Sequence, residues 1–77
     1  MYSEGDVVRL VHAVSPEDRD FWPESGSGEI PADTVGAVVA VYGSGFRDAS
    51  YEVEFVAADG ATLGIVTLTG NDVRPFG

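Results

Sequence analysis

The stretch Tyr51-Glu52-Val53-Glu54-Phe55 alternates apolar and acidic residues with period two, and this alternation constrains the fold more than any other feature of the chain. Successive side chains of a strand point to opposite faces, so Tyr51, Val53 and Phe55 are expected to face a core and Glu52 and Glu54 to face water. Asp59-Gly60 follows shortly after. Its backbone tolerates positive φ at both central positions of a tight turn, the strongest short-range signal for a hairpin. The strand continuing to about Ala57 is therefore expected to pair antiparallel with a strand from about Thr62 to Leu68. Either Val66 and Leu68 or Leu63 and Ile65 would face inward, and the pattern fits both.

Three further segments carry strand patterning. In Gly5 to Ala13, Val8, Leu10 and His12 alternate with Val7, Arg9 and Val11, so the two faces are weakly distinguished. Thr34 to Tyr42 is rich in β-branched residues, with Gly36 near its start marking a bulge or a close backbone approach. Gly70-Asn71-Asp72 predicts a tight turn before a last short strand, Val73 to Phe76, which Pro75 confines to an edge or a strand end. Gly43-Ser44-Gly45 reads as a loop, and no segment reads as a long helix. The expected architecture is all-β: a single five-stranded SH3-like barrel over residues 1–77, with one long loop between strands 1 and 2. Closure into a barrel would remove exposed strand edges. An OB-fold would need a helix where this sequence has only Asp59-Gly60.

A chain of 77 residues allows one modest core, since a domain this small buries only about 60% of its unfolded surface. Thirteen acids face four basic residues, Arg9, Arg19, Arg47 and Arg74, and the net charge is −9. Nucleic-acid binding needs a basic stripe to neutralise phosphates, and an anionic membrane repels such a chain, so neither is expected as a partner. The charge either serves solubility alone or is complementary to a protein partner with a basic surface. Residues Met1 to Asp6 lack a basic leader-like region, and no apolar stretch approaches the roughly 18 residues of a membrane span, which predicts a soluble, cytoplasmic protein.

The residues available for chemistry are few. His12 is the only histidine and cysteine is absent, so a Cys/His pair is impossible and a Ser/His/Asp arrangement would have to use His12, which reads as a histidine at a strand edge or barrel rim. No metal or cofactor site is expected: zinc would lack ligands, the EF-hand spacing is absent, and no glycine-rich stretch is followed by the Gly-Lys-Ser/Thr of a phosphate loop. The chain is not expected to be an enzyme. Paired carboxylates in a wet loop would act as charges.

The loop from about Ser15 to Asp33 holds the remaining constellation, Phe21-Trp22-Pro23 among Glu17, Asp18, Asp20 and Glu24. Ser15-Pro16 can open a short helical turn that ends by Asp20. Trp22 has two readings. It either closes one end of the core, or it forms an apolar platform with Tyr42 or Tyr51, rimmed by the loop carboxylates. Aromatic anchors with a charged rim are what a protein-binding hot spot requires. On the second reading the partner-binding residues are Trp22, Phe21, Glu17, Asp18, Asp20, Glu24, Tyr42 and Tyr51.

Asp6-Val7-Val8-Arg9-Leu10, Val35-Gly36-Ala37-Val38-Val39-Ala40-Val41-Tyr42, Tyr51-Glu52-Val53-Glu54-Phe55, Asp59-Gly60, Val66-Thr67-Leu68 and Asp72-Val73-Arg74-Pro75 together resemble a family of small bacterial proteins classed as a domain of unknown function. The resemblance spans nearly the whole chain outside the long loop. It implies an SH3-like barrel without enzymatic activity. Some small proteins of this type lie beside toxin-like genes, which implies an antitoxin or immunity role. The longer, more acidic loop carrying Phe21-Trp22-Pro23 departs from the family pattern. The expected function is a non-catalytic module that binds and neutralises or assists a basic protein; the alternative is an accessory or regulatory subunit of a larger enzyme complex.

Overall fold

Five antiparallel strands form one sheet in the order β4-β3-β2-β1-β5. They are β1 (Val7–Leu10), β2 (Val35–Tyr42), β3 (Ser50–Val56), β4 (Thr62–Thr69) and β5 (Val73–Pro75). This computed structural model describes residues 2–15, 29–43 and 49–76. The all-β class and the five strands agree with the sequence pattern. The two outermost strands, β4 and β5, do not pair with each other.

The core is built on the inner face of β3, where Tyr51, Val53 and Phe55 are all buried. Their antiparallel partners on β4 are Leu68, Val66 and Gly64, and directly opposed residues share a face. That register settles the choice on β4: Gly64, Val66 and Leu68 are buried, and Ile65 lies on the other face. A shift in register after the Phe55 pair leaves Leu63 as an extra residue opposite β3. Leu63 thereby packs against the core margin although it is out of phase with the rest of the strand.

On β2, Gly36 and Val38 face inward, opposite Phe55 and Val53. A bulge follows at Val39, so Val41 rather than Ala40 returns to the inner face. Gly36 is a close approach, as its position suggested. A Cβ there would lie 2.8 Å from both Phe55 Cδ1 and Val53 Cγ1, and 3.0 Å from the Glu54 carbonyl oxygen.

Two expectations are corrected. The first strand is only four residues long and ends at Leu10, not at Ala13. The Val11 N–H donates to the Asp72 carbonyl (2.9 Å), and the chain then reaches Val14, which makes a reciprocal pair of backbone hydrogen bonds with Ile30 (2.9 and 2.8 Å). Both of these residues are in the core, so the base of the long loop is pinched shut by apolar burial. The Asp59-Gly60 turn is also different. Gly60 has φ of 89° but Asp59 has no positive φ, and the bonds Gly60 N–H to Ala57 C=O (2.9 Å) and Ala57 N–H to Ala61 C=O (2.8 Å) define a three-residue loop closed by a left-handed glycine. The Asp59 carboxylate accepts the Ala61 N–H (2.9 Å) and holds this turn. Of the two readings of Tyr51, the core position expected from the alternation of β3 holds: it is 1% exposed, its ring meets Tyr2 edge-on with centroids 5.5 Å apart, and its hydroxyl accepts the Tyr2 N–H (3.3 Å).

The turn at 70–72 forms as expected, with the Asp72 N–H donating to the Thr69 carbonyl (3.0 Å), and β5 lies at the sheet edge beside β1 with Pro75 at its end.

A domain of this length has a net stability of about 4–12 kcal/mol, so one overpacked core position matters. Gly36→Ala is expected to cost about 1–3 kcal/mol by forcing Phe55 and Val53 apart. Urea denaturation measures this, and an unchanged midpoint would contradict the close approach.

Candidate functional site

The face of the sheet turned away from the core follows from the same register. Val7, Ala37, Glu54 and Ile65 form one row across β1 to β4; Ala40, Glu52 and Thr67 form a second, and Tyr42, Ser50 and Thr69 a third. Glu54 Oε2 accepts the Thr62 hydroxyl (2.7 Å) and Glu52 Oε1 accepts the Tyr42 hydroxyl (3.3 Å). These bonds fix the carboxylates on the surface of the sheet. Tyr42 is 52% exposed, beside Glu52.

Strands β2, β3 and β4 contain no lysine or arginine. The described arginines share this outer face but lie toward its β1–β5 edge, where Arg9 of β1, paired with Val35 of β2, stands directly opposite Arg74 of β5. Like charges opposed across strands repel, and Asp33 relieves the pair. Its carboxylate binds Arg74, and its carbonyl accepts Arg9 Nη1 (3.1 Å). Arg9 also lies over the Phe76 ring, 4.7 Å from its centroid. Both cations are thus engaged within the chain, and the outer surface divides into a cationic side on β1 and β5 and an anionic, aromatic side on β2 to β4.

At the end of β3 the outer surface dips into an open groove of about 390 Å³, lined by Pro31, Thr34, Val35, Val56, Ala57, Ala58 and Leu63. Val35 and Val56 are the outward-facing residues next to Gly36 and Phe55, which places the groove in line with Glu54 and Glu52 along β3.

Of the residues singled out in the sequence, Tyr42 lies on this outer face and Tyr51 in the core. Register puts them on opposite sides of the sheet, because Tyr42 opposes Ser50 while Tyr51 opposes Val41. They do not form one platform. Phe21, Trp22, Glu17, Asp18, Asp20 and Glu24 lie outside the described residues. The outward facing of Glu52 and Glu54 was legible in the alternation of β3, but their place on one face with Tyr42 of β2 was not, and the groove carried one overlooked signal, an apolar Val56 on a wet face.

His12 lies beyond the end of β1, with its side chain 58% exposed. Nε2 is 2.8 Å from Asp72 Oδ1 and Nδ1 is 3.2 Å from the Ala13 carbonyl oxygen. Asp72 Oδ2 accepts both the backbone N–H (2.9 Å) and the hydroxyl (3.0 Å) of Thr69. Both ring nitrogens face acceptors, which suits an imidazolium donating twice. The Thr69 hydroxyl bonds the carboxylate rather than the ring, so this group ties the β4–β5 turn to the segment after β1 and lacks the nucleophile-to-base contact of a hydrolytic site. Among the described residues no group of three or more His, Cys, Asp or Glu could hold a metal ion, and no helix is long and apolar enough to cross a membrane.

A family model, Domain of unknown function (DUF4926), matches residues 4–75. The chain belongs to the DUF4926 family. The match takes in all five strands and the long loop of this DUF4926 domain. No curated protein and no solved structure matches it significantly.

The His12 clamp gives stability a pH dependence of definite sign. The hydrogen bond to Asp72, followed by that to the Ala13 carbonyl, raises the His12 pKa above 6.5, with burial a smaller opposing effect. Its contribution is complete below the unfolded value and is lost as pH rises through the raised folded value. For Asp72, partial burial acts upward but is outweighed by hydrogen bonds from the Thr69 N–H, His12 and the Thr69 hydroxyl, and the net shift is below 3.8. Its contribution is present above that value and is lost as pH falls through the lowered one. The urea midpoint is therefore expected to fall as pH rises from about 6 to about 8, and His12→Gln should flatten that slope. An identical slope in the variant would contradict the clamp.

Proposed function

We propose that this DUF4926 domain is a non-catalytic, SH3-like module that binds the basic surface of a protein partner. The observation that carries the reading is the outer face of β2 to β4, where exposed Tyr42 sits beside Glu52, Glu54 follows farther along the same face of β3, and no basic residue occurs in any of the three strands. Carboxylates and an aromatic ring together suit lysine and arginine side chains, by ion pairing and by attraction to the ring face. A net charge of −9 adds long-range steering toward a cationic protein. It also works against self-association through this face, because two copies would bring Glu52 and Glu54 against their equivalents. Return of β5 to the side of β1 is the strand order that supports an SH3-like arrangement. Trp22 and Phe21, with Glu17, Asp18, Asp20 and Glu24, extend the anchoring surface on this reading. Neutralising a basic protein, as an antitoxin or immunity protein does, is the biological form that the reading takes.

The test is capture of a partner from the protein's own cell extract at about 0.05 M and about 0.3 M salt, a range over which screening of exposed charges becomes severe. A basic protein is expected to be retained at low salt and released at high salt. Glu52→Gln/Glu54→Gln should slow association about tenfold or more, and Trp22→Ala should weaken binding without lowering the melting temperature. Retention indifferent to salt and to these variants would overturn the proposal.

A further inference from the structure

The apolar groove and the two carboxylates lie along a single strand, with a spacing that specifies a ligand. Val56, Glu54 and Glu52 occupy alternate positions on the outer face of β3. Successive same-face positions on a strand are about 6.6–6.8 Å apart. Val56 lines the groove, together with Val35, Ala58 and Leu63. Glu54 reaches toward the same end of the sheet, since its carboxylate accepts a hydrogen bond from Thr62, the residue that opposes Val56. Beyond Glu52 the face ends at the exposed ring of Tyr42.

We infer that this face binds an extended segment of a basic partner in which one aliphatic side chain fills the groove and two lysine or arginine side chains, two and four residues away, meet Glu54 and Glu52. The inference rests on the basic-partner reading above and adds the spacing and the anchor. An extended chain presents alternate side chains at the same repeat as β3, so anchor and charges match three consecutive outer positions without distortion. The aliphatic anchor contributes by leaving water, and the charges set register and orientation. A second copy of the chain is a poorer occupant, because its own strands β2 to β4 carry no cation to meet Glu52 and Glu54.

The experiment titrates the full-length ¹⁵N-labelled protein with three blocked peptides of identical composition. Two have matched spacing, Ser-Leu-Ser-Lys-Ser-Lys-Ser and its reverse, Ser-Lys-Ser-Lys-Ser-Leu-Ser. The third, Ser-Leu-Lys-Ser-Lys-Ser-Ser, puts leucine and the lysines on opposite faces. One matched peptide is expected to bind at least fivefold more tightly than the third, with amide shifts concentrated at Val35, Glu52, Glu54, Val56 and Ala58. Ala58→Lys, at an exposed groove position, should weaken that binding at least fivefold while leaving the unfolding midpoint unchanged. Equal binding of all three peptides, no binding, shifts confined to other residues, or self-association of the free protein through these positions would each overturn the inference. If a basic protein is still captured in a salt-dependent manner that Glu52→Gln/Glu54→Gln weakens, the inference fails alone; if capture also loses its dependence on salt and on those variants, the basic-partner reading fails with it.

Discussion

Packing of Phe55 and Val53 against the bare backbone at Gly36 is the contact on which the remaining structure depends. It brings β2 and β3 together where neither has room for an extra methyl group, and it sets the register between them. Once that register is set, Val66 and Leu68 must enter the core from β4, and Val8 and Leu10 from β1, because opposed residues share a face. A slip of one residue would bury Glu52 and Glu54 and expose Val53 and Phe55. Without a countercharge, burial of those carboxylates would cost more than a domain this small can lose.

The periphery is held by different means. Val14 and Ile30 close the base of the long loop by burial, while the turn before β5 is tied down by Asp72, which gathers His12 and both polar groups of Thr69. Asp33 and Phe76 restrain the facing pair Arg9 and Arg74. These polar ties are exposed, so each contributes modestly to stability. Their main consequence is directional. They engage the described cations at the β1–β5 end of the outer face and leave its β2–β4 part anionic.

Much of this was legible in the sequence for a simple reason: β3 alternates without exception, and alternation is a direct record of which side chains face the core. The strands on either side were harder to read. Val7 to Val11 offers apolar residues on both faces, so its end at Leu10 is set by the hydrogen bond from Val11 to Asp72, sixty-odd residues away in sequence, and not by local pattern. On β4 the two candidate inward sets were equivalent until the register with β3 was known. Tyr51 had two roles in the sequence, core residue and platform, and only the register with Val41 separates it from Tyr42. The groove needed Pro31 with Val35, Val56 and Leu63 from three separate stretches of chain, and no local spacing links them.

The two faces of β3 thus have separate tasks, one supplying the core and the other a surface free to carry charge. Thermal unfolding of two variants on this single strand tests that division most directly. Glu52→Lys/Glu54→Lys reverses both outward charges and is expected to unfold cooperatively at a temperature no lower than the parent, since each reversal removes two units from an excess of negative charge. Val53→Lys, one residue from each of those positions, is expected to abolish the cooperative transition by placing an unpaired ammonium in the core. A double reversal that unfolds the domain, or a Val53→Lys protein that melts like the parent, would contradict the account.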